Sequence, residues 1–402
     1  WINQHGLAHF VYPGATITRM THSIGVYHIA KQYFENIINN TNENILKEIF
    51  GKDQKEELRN RYLPILEVAA LLHDIGHGPF SHASEPVLKR IYEDKCLDFL
   101  NSILDNSAID KDKLKIHECI TYYIIEKNKE IEDILKSYDI EKRDVISVLV
   151  GREVKGSSLS DDQIRVLNYI ISSNIDADRL DFVLRDSYFL GVPYGLTDIE
   201  RIIRVARIEF KDGKPVLTYD IRGLSAIEHF LFARTHMYRW VFYHHIITLL
   251  DSLVLPTAIA ISHGVKCLSF PDLDILAKNP YERYPKDYDV LKVLKCTIEK
   301  IRNTIYCYNQ KNEEAREIKS IDECKDGRII FSKSIEKLID SINNRRLLPK
   351  ALWKRYEGMV SEISDYINSE INRKFEECQQ SLIKKGQYEA LPNLGMQYST
   401  LL

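Results

Sequence analysis

The feature that most constrains this chain is a histidine-rich run at the end of its most apolar helical segment. The segment "YLPILEVAALL" is apolar almost all round, which is typical of a buried helix, and "HDIGHGPFSH" follows it directly. Burying an ionised carboxylate without a partner costs several kcal/mol. For Asp74 the partner would be a helix cap, an arginine or a divalent cation, and His73 alone would be an ordinary core histidine. A cation site needs further histidines and carboxylates from distant parts of the chain.

Two other segments place such residues on amphipathic helices. The first, "TRMTHSIGVYHIAKQYF", carries His22 three residues after Arg19. The second, "SSNIDADRLDFVLRDSYFLG", has Asp178, Phe182 and Asp186 at i, i+4 and i+8, so they form one stripe along the helix. Two acids and an aromatic on the face expected to meet the core are hard to explain as surface.

Two further helical pairings have simpler interpretations. Asp181 and Arg185 form an i,i+4 pair about 100° from the acidic stripe, and we predict a solvated surface ion pair there. In "FLFARTHMYRWVFYHH", Arg234, Tyr238 and Phe242 share one face. From spacing alone, this face is either an aromatic core stripe or a ligand-facing one.

Composition argues against several classes of protein. The formal net charge of -3 lacks the basic excess of a dedicated nucleic-acid binder, although a local basic pocket stays open. The seven cysteines form no CxxC pair, which predicts reduced thiols and a cytoplasmic protein. No signal peptide is visible, and Asp251 and Pro256 interrupt the most apolar late stretch, so we predict no membrane span. The chain begins at Trp1, and we expect residues to precede it.

The longer blocks resemble the HD-domain deoxynucleoside triphosphate triphosphohydrolases (dNTPases). "VYPGATITRMTHSIGV", "HDIGHGPFSH" and "NIDADRLDFVLRDSYFLGV" carry the resemblance, which covers roughly residues 1–250. It implies a mainly all-α HD-domain fold. The charge-rich, amphipathic pattern after the turn-rich stretch near 264–287 predicts in addition a C-terminal, mostly helical lobe. Periodicity agrees, and "RVARIEFKDGKPVLTYD" predicts a small β-hairpin with its turn at Asp212-Gly213. We predict an HD-domain core over 1–264 and an accessory helical lobe over 265–402.

The resemblance also implies which residues bind metal and catalyse. A divalent ion (Mn, Mg, Fe or Zn) would be bound by two imidazoles and two carboxylates, namely His22, His73, Asp74 and Asp178. Three histidines would act near the reacting phosphate. His117 would be the general acid that protonates the 5'-oxygen, His82 would lie beside it, and His77 would contact the phosphates or support the site. Taken alone, His117 would be a helix-capping or surface histidine.

The resemblance also implies which residues contact the sugar of the substrate and which contact its phosphates. Gln4 and Asp186 would hold the ribose 3'-hydroxyl and Tyr238 the phosphates or sugar. The phosphates would be bound by the arginines Arg19, Arg179 and Arg234.

Four positions depart from the animal relative of this family. Phe182 replaces a tyrosine that packs on the sugar, and Tyr243 replaces a glutamine that reads the base. Arg179 stands in place of a lysine and Tyr238 in place of a histidine. Stacking on the sugar survives the first change and a hydroxyl contact does not, and the base preference stays open.

The activity implied is hydrolysis of a deoxynucleoside triphosphate (dNTP) to a deoxynucleoside and inorganic triphosphate. Three alternatives stay open: another HD-type nucleotidase or phosphodiesterase, a nucleotide-sensing protein without turnover, and a single-stranded nucleic-acid binder or nuclease. We expect a homo-oligomer (dimer, tetramer or hexamer). A nucleotide effector and nucleic acid are possible further partners.

Overall fold

The structure is a computed structural model. It describes residues 2–52, 54–104, 115–249, 268, 270–280, 285–287 and 290, together with the backbone of three later strands. The described part is mainly α-helical, so the predicted fold class is confirmed. Its helices are α1 (Arg19–Asn40), α2 (Glu43–Phe50), α3 (Lys55–Leu72), α4 (Glu85–Ile103), α5 (Ile116–Lys127), α6 (Lys129–Ser137), α7 (Lys142–Val150), α8 (Asp161–Ile171), α9 (Ala177–Leu190), α10 (Ile199–Arg204), α11 (Leu224–His236), α12 (His245–Leu249) and α13 (Leu273–Lys278).

Polar caps and glycines set many of the helix ends. The Thr18 hydroxyl accepts the Thr21 N–H at the start of α1, and Ser160 and Gln163 form a reciprocal capping box on α8. At the other end of α9, Gly191 adopts a left-handed conformation (φ 70°), which a side chain would disfavour.

The core brings the starts of two helices beside the end of a third. Helix α1 packs against both α3 and α9, and its inward face is fully buried at Val26, Phe34 and Ile37. Leu66 and Ala70 of α3 are equally buried, as the all-round apolar pattern predicts. The first turn of α1, the end of α3 and the first turn of α9 therefore meet in space.

The predicted hairpin is confirmed. Strand β1 (Ala206–Lys211) pairs antiparallel with β2 (Lys214–Tyr219). Both turn residues have positive φ, 53° at Asp212 and 72° at Gly213. Positive φ at both positions is the type I′ geometry that the Asp-Gly pair favours, because its twist matches that of the two strands.

A second sheet lies where the sequence predicted helices. Strands β3 (Ile305–Asn309), β4 (Glu314–Ile318) and β5 (Arg328–Phe331) form an antiparallel sheet in the order β4-β3-β5. Each strand has only four or five residues, too short to stand out from a helical pattern by periodicity. Most of the predicted lobe lies outside the described residues, so the boundary near residue 264 stays a prediction.

Two further findings concern membrane-spanning helices and cysteines. Within the described ranges, no helix is both long and apolar enough to cross a membrane. The two described cysteines, Cys96 and Cys119, are free and buried.

Burial of isoleucine predicts where truncation destabilises the fold. Ile146 on α7 is fully buried, whereas Ile134 on α6 is 58% exposed. We expect Ile146→Ala to lower the free energy of unfolding by about 2–5 kcal/mol, because the change loses apolar burial and leaves a cavity. The matched Ile134→Ala change should stay within about 0.5 kcal/mol. Urea titration followed by circular dichroism measures both, and equal losses would contradict this core assignment.

Candidate active site

The four predicted metal ligands converge where α1, α3 and α9 meet. His22 lies in the first turn of α1, Asp178 in the first turn of α9, and the His73-Asp74 pair directly after α3. His22 Nε2 is 3.0 Å from Asp178 Oδ1 and 3.8 Å from Asp74 Oδ2, and His73 Nε2 is 3.4 Å from Asp74 Oδ2. One ligand atom each from His22, His73 and Asp178 fits within 4.8 Å of the others, so this group could hold a metal ion.

Hydrogen bonds on the far side of both imidazoles orient them toward the cluster. His73 Nδ1 is 2.8 Å from the Ala70 carbonyl oxygen, and His22 Nδ1 is 2.8 Å from Asp181 Oδ2. With a proton on each Nδ1, the two Nε2 atoms present lone pairs to the centre. His73 Nε2 is buried and has no hydrogen-bond partner among the described residues. An unpartnered buried nitrogen beside two carboxylates fits a cation.

The prediction of a solvated Asp181–Arg185 ion pair is wrong. Asp181 is only 4% exposed, and besides His22 it accepts two hydrogen bonds from Arg185, at 2.7 and 2.8 Å. The pair is spaced as predicted, but α9 turns this side toward α1. The Asp181 carboxylate therefore holds the imidazole of His22, one of the candidate metal ligands, and the Arg185 guanidinium compensates the charge of Asp181.

The electrostatics of the cluster favour positive charge. Burial by itself lowers the pKa of His22, but hydrogen bonds and charge from Asp178 and Asp181 outweigh it and raise the pKa to about 10. Burial raises the pKa of Asp74, but Arg19, His73 and His77 bring it well below its usual range. Ionised carboxylates that attract a proton onto a buried imidazole would attract a divalent cation for the same reason.

A second histidine cluster lies beside the first. The rings of His77 and His117 stack with centroids 3.9 Å apart, and the His82 ring meets that of His77 edge-on at 4.8 Å. Glu85 Oε1 accepts a hydrogen bond from His117 Nδ1, and Glu85 Oε2 lies 3.4 Å from His82 Nδ1. His77 Nε2 is 3.4 Å from Asp74 Oδ1, so His77 connects the two clusters.

In this second cluster, His77 is neutral and Glu85 is ionised. Burial, with the charges of Arg19 and His117, holds the pKa of His77 well below its usual value, so His77 is neutral near pH 7. Burial alone would raise the pKa of Glu85, but hydrogen bonds from His117 and His82 hold it far below its usual value. Glu85 is therefore an ionised acceptor for the hydrogen bond with His117.

A cavity of about 630 Å³ joins both clusters, a size typical of ligand sites. Two predicted site residues, His22 and Arg234, are not among the residues that line it. The predicted residues that do line it are Gln4, Arg19, His73, Asp74, His77, His82, His117, Asp178, Arg179, Phe182, Asp186, Tyr238 and Tyr243.

One end of the cavity carries unpaired buried oxygens. Asp186 is 2% exposed, and its Oδ2 lies 2.7 Å from His5 Nε2. Asp186 Oδ1 and Gln4 Oε1 are buried and have no hydrogen-bond partner within the described part of the chain. Buried acceptors without partners are costly, so both are suited to a hydroxyl of a bound ligand.

Aromatic rings form the wall between this end and the second cluster. Phe182 packs edge-on against Tyr238 and Phe242, with centroids 6.3 and 6.0 Å apart. Tyr238 and Phe242 lie on a π-helical stretch that continues α11, Met237–Phe242. The Arg234 guanidinium lies 5.7 Å from the Tyr238 ring centroid. Spacing alone left this stripe open between a core face and a ligand-facing one, and the structure has Tyr238 and Phe242 lining the cavity and Arg234 outside the lining.

Cationic groups at the cavity are already paired with acids. Arg19 Nη1 is 2.5 Å from Asp74 Oδ2, and Arg179 bonds the side chain of Asp176, the residue that caps α9. Lys115 also lines the cavity and pairs with Glu118 at 2.7 Å. Each would have to share or exchange its partner to contact a phosphate group.

Sequence reasoning missed His5, Glu85 and Lys115. Glu85 lies three residues after His82, a spacing that brings side chains together on a helix and would have been a usable signal. The Glu that follows His117 in sequence, Glu118, instead pairs with Lys115. His5 carries no spacing signal, because its partner Asp186 lies far away in sequence. The i,i+3 spacing of Lys115 and Glu118 indicates their ion pair but not that Lys115 lines the cavity.

Residues 19–158, a range that includes His22, His73 and Asp74 but not Asp178, match the HD domain family. HD domains are typical of metal-dependent phosphohydrolases. The relatives include the deoxynucleoside triphosphate triphosphohydrolase SAMHD1 of Homo sapiens, 25% identical over 63% of this chain and 38% of that protein. The resemblance read from the motifs is thereby confirmed.

Other relatives have higher identity and no assigned activity. The uncharacterized protein YwfO of Bacillus subtilis is 30% identical over 63% of this chain and 47% of its own length. The chain spans about half the length of the curated relatives it matches. A crystal structure of a hypothetical protein from Aquifex aeolicus superposes with a TM-score of 0.52 at 27% identity, covering 75% of this chain and 66% of that one.

The Asp181 contact predicts an effect on metal binding. We expect Asp181→Asn to lower affinity for Mn²⁺ by about 10- to 100-fold, because His22 loses the carboxylate that sets its tautomer and orientation. Asp98→Asn, an exposed aspartate on α4, is the matched control and should bind like the parent protein. Isothermal titration measures both, and thermal melting verifies that each variant is folded. Unchanged affinity in a folded Asp181→Asn protein would contradict this support role.

Proposed function

We propose that this protein is a metal-dependent dNTP triphosphohydrolase. The observation that carries the proposal is the convergence of His22, His73, Asp74 and Asp178 on one centre beside a cavity that also holds a histidine–glutamate cluster. The substrate class follows the SAMHD1 relatives, whose names state this activity. Their identity to this chain is 24–27%, so the substrate is part of the proposal.

A divalent ion would be held by the two Nε2 atoms and the carboxylates of Asp74 and Asp178. Donors of this type suit Mn, Mg, Fe and Zn alike, so the identity of the ion is decided by experiment. When bound, such an ion polarises a phosphoryl oxygen and lowers the pKa of coordinated water. Asp181 and the Ala70 carbonyl would keep both imidazoles aimed at it.

His117 is the proposed proton donor to the leaving group. Its Nδ1 is hydrogen-bonded to ionised Glu85, and His117 lines the cavity. Water attack at the α-phosphorus would break the bond to the 5'-oxygen, and His117 would protonate that oxygen. His77, buried and neutral, would orient the phosphate between the two clusters.

The other end of the cavity fits a deoxyribose. The unpaired oxygens of Asp186 and Gln4 would accept a hydrogen bond from the 3'-hydroxyl, and Phe182 would pack on the sugar ring. Arg19, Arg179 and Lys115 are the cations near enough to neutralise a triphosphate. The homo-oligomer, the nucleotide effector, nucleic-acid contact and cytoplasmic location stay predictions.

A metal-by-substrate screen tests the activity. Each dNTP and NTP is incubated with the protein under Mg²⁺, Mn²⁺, Fe²⁺ or Zn²⁺, and the products are separated by chromatography. We expect deoxynucleoside and inorganic triphosphate, and none from a His73→Ala/Asp74→Ala variant. Orthophosphate or nucleoside monophosphate would indicate another HD phosphohydrolase. Tight nucleotide binding without products would favour a sensor, and affinity for single-stranded nucleic acid that falls steeply with salt would favour a nucleic-acid binder.

The role of His117 predicts a separation of chemistry from binding. We expect His117→Ala to reduce kcat by about 10²- to 10⁴-fold while dNTP affinity stays within a few-fold, since the general acid acts in the chemical step. His229→Ala, an exposed histidine on α11, should leave kcat unchanged. Single-turnover kinetics and equilibrium dialysis give the two quantities. A variant with normal kcat, or one that fails to fold, would reject this assignment.

A further inference from the structure

A carboxylate from late in the sequence lies beneath the active-site loop. Asp287 is 5% exposed. Its Oδ1 accepts the backbone N–H of Phe80 at 2.6 Å, and its Oδ2 accepts the backbone N–H of Asn3 at 2.9 Å. One side chain therefore joins two segments that are distant from it and from each other in sequence. Both of its oxygens are used, which is what a buried carboxylate requires.

The Phe80 bond falls on an unusual piece of backbone. Phe80 and Ser81 have φ angles of 58° and 56°, in the left-handed region that non-glycine residues rarely occupy. Such conformations persist only where surrounding contacts hold them. The turn lies between His77 and His82, so its geometry decides how those two rings approach each other and His117.

The Asn3 bond falls on the other wall of the cavity. The two residues that follow Asn3, Gln4 and His5, both line the cavity. The Asn3 carbonyl also accepts the Ser81 hydroxyl at 2.5 Å, so the N-terminal segment and the strained turn are bonded to each other as well as to Asp287.

The same contacts reach the metal cluster. Arg19 Nε donates to Ser81 Oγ at 3.0 Å, and Arg19 Nη1 lies 2.5 Å from Asp74 Oδ2. A series of bonds thus leads from Asp287 through Asn3, Ser81 and Arg19 to Asp74.

The segment that carries Asp287 is itself fastened to the core. Leu273 and Leu276 of α13 are fully buried. Polar bonds from α4, α5 and the start of α6 reach the segment: Tyr92 to Pro271, Lys95 to Asp272, Tyr123 to Asp274 and Asn128 to Ala277. The described residues 270–280, which precede Asp287 in sequence, are therefore bonded to the helical core.

We propose that Asp287 is a positioning residue for the active site. By holding the Phe80–Ser81 turn and Asn3 together, it sets the histidines on one side of the cavity and the sugar-facing residues on the other. This role rests on the proposed function, because the reaction it would support is dNTP hydrolysis. Asp287 is not among the residues that line the cavity, so it would act through the residues it holds.

The test compares Asp287→Asn with a matched change at an exposed aspartate of α4, Asp98→Asn. An asparagine has one acceptor oxygen, so Asp287→Asn deprives Phe80 or Asn3 of its partner, whereas Asp98 is a surface residue away from the turn. In the 402-residue chain we expect Asp287→Asn to lower kcat/KM for dNTP by about 10- to 100-fold at unchanged metal content. Asp98→Asn should match the parent, and Asp287→Glu, which keeps both oxygens, should recover part of the loss.

A second measurement does not depend on turnover. Hydrogen exchange of the peptide spanning residues 78–83 should be faster by about tenfold or more in Asp287→Asn only, while exchange within α1 stays unchanged. If the parent protein hydrolyses no dNTP, the proposed function fails, and this exchange still decides whether Asp287 holds the turn. Parent-like exchange and kinetics in Asp287→Asn would overturn the inference. So would kinetic losses in both variants that simply follow a lowered melting temperature.

Discussion

The structure depends on the compensation of buried charge around Asp74. This carboxylate lies among Arg19, His73 and His77, with His22 Nε2 3.8 Å away. Three helices must meet for these groups to reach it, and the apolar packing of α1 against α3 and α9 brings them there. Without that compensation, an ionised aspartate at the end of a buried helix would oppose folding.

In the proposed phosphate ester hydrolysis, the two clusters would have different tasks. One is rich in carboxylates and would attract a cation, as the high pKa of His22 indicates. The other pairs His117 with Glu85 and would supply the proposed proton donor. His77 lies between them and is kept neutral by burial. A site with both tasks would need such separation, because shared carboxylates would take the proton for themselves.

The cavity is assembled from segments that are far apart in the chain. Gln4 and His5 come from the N-terminal segment, the histidines from the loop after α3 and from α5, and the aromatic wall from the end of α11. Asp287 joins two of these, the N-terminal segment and the loop after α3, to its own part of the chain. The loops that line the cavity are held by polar bonds to other segments of the fold, and such bonds give a loop backbone a defined geometry.

Regular elements of the fold were predictable, because their causes are local. The apolar period indicated the helices, and Asp212-Gly213 indicated the hairpin turn by its backbone preference. The short strands at 305–331 were not predicted, because four or five residues carry little periodic signal. The metal-ligand set came from resemblance, as no spacing within one helix relates residues of three helices.

By itself, the sequence determined the helical periods, the caps, the hairpin and the identity of the residues available for chemistry. Only the tertiary structure decided their partners. Asp181 has the spacing of a surface ion pair and is buried against His22, and Glu85 rather than Glu118 binds His117. The reason is physical: sequence spacing predicts neighbours on the same helix, whereas helix packing decides which face is buried and what it meets.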